Sequence, residues 1–342
     1  MTMPSVLITG ANGFIGSHLC DAFAKAGYQV FGLVRRTSDL RFLKDSQVDL
    51  IYGDLTDIEG IAFPDSVKAI VHAAALVSDN ASKSRCRAQI YDTTVNLVEW
   101  AIRRCLRLEK FIYISTALTI GYCADNISED NPGKSAEYVP YNYMKKMTEG
   151  FLLEKFRRSA FPVVIMRPGD VYGPRDRTSC EHMLKAAERN VPLIVGRGDK
   201  KFGFCYPGNL CKAVLAAVEK PKTNGQAYTV TNAVFPTWRD FFSSLGQGVG
   251  KPQSLYVPVS ISLAAAIFLE LIKRVFPGFK PSINFYRIRR ITTQTTYDLS
   301  KTIKDLDYEP DDDYRSQFKA IVDWYKQDRW ETPAVSEQDL KP

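Results

Sequence analysis

Six short apolar runs alternate with helical patterns through the first half of this chain, and that alternation limits the possible folds more than any other feature. The runs are SVLIT (Ser5–Thr9), YQVFGLV (28–34), VDLIYGDL (48–55), VKAIVHAAA (67–75), KFIYIST (110–116) and FPVVIMRP (161–168). Runs that are apolar throughout suit strands covered on both faces. Between them lie helical stretches, among them 88–105 and one opened by Pro140, which suits a first helical turn. Strand and helix in such regular turn predict an α/β fold with a doubly wound parallel sheet over 1–173. After Gly173 the alternation weakens. Residues 174–330 read as a smaller, mostly C-terminal substrate-binding domain, and 331–342 as a frayed tail. One segment, QAYTVTN (226–232), is expected to return a strand to the first sheet.

Composition narrows the class. The formal charge of +7 is spread along 342 residues. It suits an anionic cofactor or an acidic membrane surface and is too diffuse for nucleic acid. No run reaches the ~18 apolar residues of a spanning helix. The seven cysteines are scattered, with no C-x-x-C pair. They read as reduced thiols, and no secretion signal is evident, so a cytoplasmic protein is expected. His18, His72 and His182 lack metal-ligand spacing, and no metal site is expected.

The first strand runs directly into TGANGFIG. Gly10 allows the chain to turn sharply, Gly13 lets a pyrophosphate reach the main chain, and Gly16 lets the helix pack close to the strand. The free N–H groups and the positive helix end then face the anion. Asn12 can brace this loop through its amide. At the end of the second strand, an NAD site places a carboxylate for the ribose diol. Here Val34 is followed by Arg35 and Arg36, with Asp39 too far along to serve. A guanidinium grips a 2′-phosphate that a carboxylate would repel, which predicts NADP, with NAD as the alternative.

YNYMK places Tyr141 and Lys145 on one helix face. An ammonium ~4 Å from a phenol is worth about 4 kcal/mol at an effective dielectric of 20, roughly three pKa units. The expectation is a Tyr141 pKa lowered toward neutrality, fit for proton exchange with an alcohol or carbonyl. Lys145 can also hold the nicotinamide ribose. Ser115 or Thr116, at the carboxyl end of the fifth strand, can hydrogen-bond the reacting oxygen.

In sequence order, TGANGFIG, GDLTD, HAAA, ISTALTIGY, YNYMK and RPGDVYGP resemble the motifs of the extended short-chain dehydrogenase/reductases. The likeness is strong over 6–174 and weaker to about residue 330. It implies the Rossmann fold, with Gly10, Gly13, Phe14, Ile15 and Gly16 at the pyrophosphate and Asp54 and Leu55 beside the adenine. Ala73, Ala74 and Ala75 would line the path to the nicotinamide, and Pro168 would border its ribose. Tyr141 and Lys145 would be the catalytic pair, and the family's count back from Gly121 favours Thr116 over Ser115. Two departures stand out. In IYDTTVNL, Ile90 and Thr93 replace the family's first Asn and its Gly. Ala117 and Leu118 replace the acidic pair of sugar dehydratases, which argues against dehydration.

The second half resembles the 3β-hydroxysteroid dehydrogenase-like branch through FGFCYPGNLCKAV, where Phe202 stands at a position that nucleotide-sugar enzymes often give to arginine. VSISLAAAIFLELIKRVF (259–276) reads first as a buried helix. Its other readings are a lid over an apolar substrate and peripheral membrane contact. YRIRR (286–290) reads as a solvated face. The expectation is an NADP-dependent oxidoreductase interconverting a secondary alcohol and a ketone on an apolar, sterol-like or polycyclic substrate. The alternatives are a nucleotide-sugar epimerase and a non-catalytic NADP-sensing regulator. The resemblance also implies a homodimer, for which Trp100, Phe151 and Leu152 are candidate contacts that core packing explains equally well.

Overall fold

The computed structural model describes residues 3–64, 66–252, 256–276, 279 and 283–331; the expected tail falls almost entirely outside them. In the first half, β1 (Ser5–Thr9), α1 (Phe14–Lys25), β2 (Gln29–Val34), β3 (Val48–Tyr52) and β4 (Ala69–His72) follow in turn. A helical run then passes through α2 (Lys83–Cys86), a π-helical stretch (Arg87–Asp92) and α3 (Thr93–Arg104). β5 (Lys110–Ile114), α4 (Pro140–Ser159) and β6 (Val163–Pro168) complete the half.

The second half is built from β7 (Asp170–Val171), α5 (Cys180–Glu188), β8 (Ile194–Val195), β9 (Phe204–Cys205), α6 (Pro207–Glu219) and β10 (Ala227–Val230). It continues through α7 (Trp238–Gly248), β11 (Tyr256–Val257), α8 (Val259–Val275), α9 (Phe285–Thr292), α10 (Ser300–Leu306) and α11 (Tyr314–Glu331).

The main sheet has seven strands in the order β10-β6-β5-β4-β1-β2-β3. Every pairing in it is parallel, as continuous apolar runs require. The doubly wound sheet expected from the alternation is therefore present. α1 and α6 cover one face, where Leu19, Phe23, Leu210 and Val214 pack on Val6, Ile8 and Val230. α3 and α4 cover the other, where Leu97, Val98 and Leu152 pack on Leu7, Ile70 and Phe111. Strand order reverses between β1 and β4, which opens a crevice at their carboxyl ends.

Beyond the sheet, α5, α7 and α11 enclose an aromatic core of Phe202, Phe204, Trp238, Phe241 and Phe318. Phe202 stacks on Trp238 with ring centroids 4.0 Å apart. α8 departs from the buried-helix expectation. Ser262 and Ala266 are buried, but Ile267 and Phe268 are 62% and 63% exposed. The reason is that a helix apolar all round can seat only one side, and α8 seats the side with the small residues. Among the described residues, no helix is long and apolar enough to cross a membrane.

Candidate active site

The glycine loop forms the crevice floor. Gly10 has φ +66°, and a Cβ there would lie 2.9 Å from the Ala74 backbone. A Cβ on Gly16 would lie 2.0 Å from the Gly10 carbonyl oxygen, so any side chain would push α1 off β1. Gly13 is exposed and caps α1 without any side-chain bond. The first N–H groups of α1, from Phe14, Ile15 and Gly16, lack intrahelical partners and open toward the crevice. This cradle fits a pyrophosphate. Asn12 donates its amide to the Asp39 carbonyl, 3.3 Å away.

At one end of the crevice, Arg35 and Arg36 are exposed after β2, and Arg36 lies over the Tyr52 ring. Asp54 accepts from the backbone and hydroxyl of Thr56, which holds its carboxyl below the usual range; Arg35 adds to this. Leu55 is buried, and its carbonyl accepts from Asn96. Ala73, Ala74 and Ala75 run from the glycine loop to the cluster of Cys86, Ile90 and Met144. A hydrogen-bonded chain holds this loop in place. Ala74 N–H donates to Thr9 Oγ1, whose hydroxyl donates to His72 Nδ1 at 2.7 Å. His72 Nε2 then donates to Thr94, which is itself a donor to the Ile90 carbonyl. Burial and the nearby Lys145 push the His72 pKa down to about 3, so it stays neutral.

At the other end stand Thr116, Tyr141 and Lys145. Lys145 is buried, donates to the Ile114 carbonyl at 2.6 Å and lies 4.6 Å from the Tyr113 ring centroid. Burial lowers its pKa to about 7, opposed by Glu149. Tyr141 packs between two apolar clusters, one with Tyr122, Val139 and Tyr286, the other with Cys86, Ile90 and Met144. Burial raises its pKa, and Tyr286 and Cys86 add to the rise. The expected lowering is thus reversed. The ammonium sits 6.0 Å from the Tyr141 ring centroid, and desolvation of the phenol is the larger effect.

Of the two candidate hydroxyls, Ser115 is already committed, donating to buried Glu149 at 2.5 Å. Thr116 accepts from Leu118 N–H at 3.3 Å, and its own proton has no acceptor among the described residues. Pro168 ends β6 beside Val230, and the loop beyond is fastened to α1. His18 meets the Pro174 carbonyl at 2.9 Å, and Arg175 meets Asp21 at 2.8 Å.

Two groups of residues were missed in the sequence. Glu149 binds Arg167 through both carboxylate oxygens and also meets Thr119. Its position four residues after Lys145 was the available sign. On α9, Arg290 pairs with Asp170 and Arg287 with Asp79, so YRIRR is not the solvated face expected. Tyr286 accepts from Asn142 at 3.4 Å, which brings α9 over the Tyr141 end. Phe202 lies in the aromatic core and lines no part of the site.

A phosphate cradle at one end of a parallel sheet and a Tyr–Lys helix at the other define a dinucleotide-dependent short-chain dehydrogenase/reductase. The model of the NAD dependent epimerase/dehydratase family matches residues 6–231, and the chain belongs to this family as an extended short-chain enzyme.

A sterol-4-alpha-carboxylate 3-dehydrogenase (decarboxylating) of Candida albicans is 23% identical, over 96% of this chain and 99% of its own. A 2-alkyl-3-oxoalkanoate reductase of Shewanella oneidensis is 27% identical, over 88% and 81%. The crystal structure of UDP-glucuronic acid 4-epimerase from Bacillus cereus with NAD superposes with a TM-score of 0.74 at 24% identity. It covers 96% of this chain and 99% of that one.

Proposed function

We propose that this enzyme is an NADP-preferring oxidoreductase that interconverts a secondary alcohol and a ketone on an apolar substrate, sterol-like or polycyclic. The observation that carries this reading is the setting of Tyr141: a phenol packed between two apolar clusters on the helix that also carries the buried Lys145, with an uncommitted Thr116 hydroxyl at the end of β5. The bound dinucleotide supplies the hydride donor or acceptor. Tyr141 holds its proton at Oη and passes it to the substrate oxygen in reduction, or receives it in oxidation. Thr116 donates to the same oxygen and fixes its direction. Lys145 stands behind the phenol as the proton source and as the hold on the nicotinamide ribose. Arg35 and Arg36 form no ion pair with any described residue, which supports a 2′-phosphate partner.

The names of these two relatives support a substrate with a large hydrocarbon part, a sterol in one and an alkyl-oxoalkanoate in the other, and both names carry a carboxylate besides. A sugar-nucleotide substrate is less well supported: Arg287 and Arg290 are held by carboxylates, and Phe202 is buried.

The test is steady-state turnover of apolar ketones with NADPH and with NADH. NADPH should be preferred, and Tyr141→Phe should lower kcat by about 10³-fold while leaving the cofactor KM near its original value. Retained turnover in Tyr141→Phe overturns the reading. A cofactor that stays bound and unconsumed while a sugar nucleotide is interconverted overturns it in favour of epimerisation.

A further inference from the structure

We infer that α8 and the start of α9 form a docking face for an anionic lipid surface, set at the mouth of the site. The polarity of α8 is inverted. Ile261, Phe268, Leu271 and Val275 recur at helical spacing, and each is more than half exposed. The side facing the protein carries Ser262 and Ala266, both 2% exposed. A folded chain in water gains by turning its largest apolar residues inward; this helix turns them outward along a stripe. On α9, which packs on α8 through Ile288 and Ala266, Phe285 is also 55% exposed.

Charge selects the occupant. α8 and α9 together hold Lys273, Arg274, Arg287, Arg289 and Arg290 against the single acid Glu270, an excess of four on two helices in a chain of net +7. Arg287 and Arg290 are committed to Asp79 and Asp170, while Lys273 and Arg289 pair with no described carboxylate. A second copy of this chain would bring like charges together across a two-fold axis. Anionic headgroups attract the basic residues that no carboxylate holds, Lys273 above all, while the stripe enters the acyl boundary.

The position of the face gives the docking a use. On α9, Phe285 points outward and the next residue, Tyr286, is buried against Tyr122 and Tyr141. Neighbouring residues of one helix, Phe285 and Tyr286, thus join the exposed face to the cluster that holds Tyr141. Docking extends the substrate reading above but does not need turnover to be observed.

The experiment is co-sedimentation of the full chain with vesicles of phosphatidylcholine alone and of phosphatidylcholine mixed with phosphatidylglycerol. The wild type should pellet with the mixed vesicles. The double variant Phe268→Asp, Leu271→Asp should lose about tenfold or more of that binding while keeping the wild-type melting curve. Lys273→Gln with Arg274→Gln, which spares the stripe, should weaken binding to the mixed vesicles and not to the neutral ones. A wild type that stays in the supernatant with both vesicles overturns the inference. So does an aspartate pair that turns a dimer into a monomer in sedimentation velocity and leaves vesicle binding unchanged.

Discussion

Lys145 and Glu149 stand one turn apart on α4, both buried, and they keep very different company. Glu149 is satisfied by Ser115, Thr119 and a two-pronged Arg167, which reaches on to Glu129. Lys145 has one carbonyl and the face of Tyr113. A buried charge with every lone pair answered is fixed and acts as scaffold. A buried charge with spare donors is poised to bind or to exchange a proton. The same helix thus carries a support and, one turn toward its start, a group prepared for chemistry.

The strongest way to break this comparison is Glu149→Ala. It would leave Arg167 buried with only the exposed Glu129, and should cost about 3–5 kcal/mol of stability in denaturant melts. A loss near zero would show that the network supports nothing. Lys145 gives the next effect. Its pKa falls from an ordinary lysine value to about 7 through burial, so between there and the unfolded value the unfolded chain holds more protons. Stability on its account is therefore lost as pH falls toward 7 and gained as pH rises. Wild type should gain roughly 2 kcal/mol relative to Lys145→Met between pH 7 and pH 9. Parallel curves for the two proteins would contradict the pKa. The smallest effects separate the neighbouring hydroxyls. Ser115→Ala should cost about 1 kcal/mol of stability with little change in kcat, and Thr116→Val should lower kcat about tenfold with little change in stability. Exchanged outcomes would move the reacting oxygen from one hydroxyl to the other.

Features governed by neighbours in sequence were legible in advance. Gly10 and Gly16 could be read because strand, turn and helix adjoin within a dozen residues, and the contact that forbids a Cβ is local or one strand away. The Tyr141–Lys145 face was legible for the same reason. Arg290 was not, because its partner Asp170 lies 120 residues earlier and only the fold brings them together. The direction of the Tyr141 pKa was missed because spacing gives the face a residue occupies but not the water excluded around it. The exposure of α8 was hidden by its composition: when every side of a helix is apolar, periodicity has no preferred face to report.

The last strand of the main sheet comes from the far half of the chain. Ala227–Val230 pairs with β6, and Leu306 and Tyr308 close over the same core as Val6 and Ile8. The dinucleotide fold is stitched shut by segments made long after the glycine loop. A fragment ending near Gly173 would emerge with β6 as a raw edge and an uncovered face, a template for aggregation. During synthesis the sheet therefore stays open at β6 until residues 227–230 have left the ribosome.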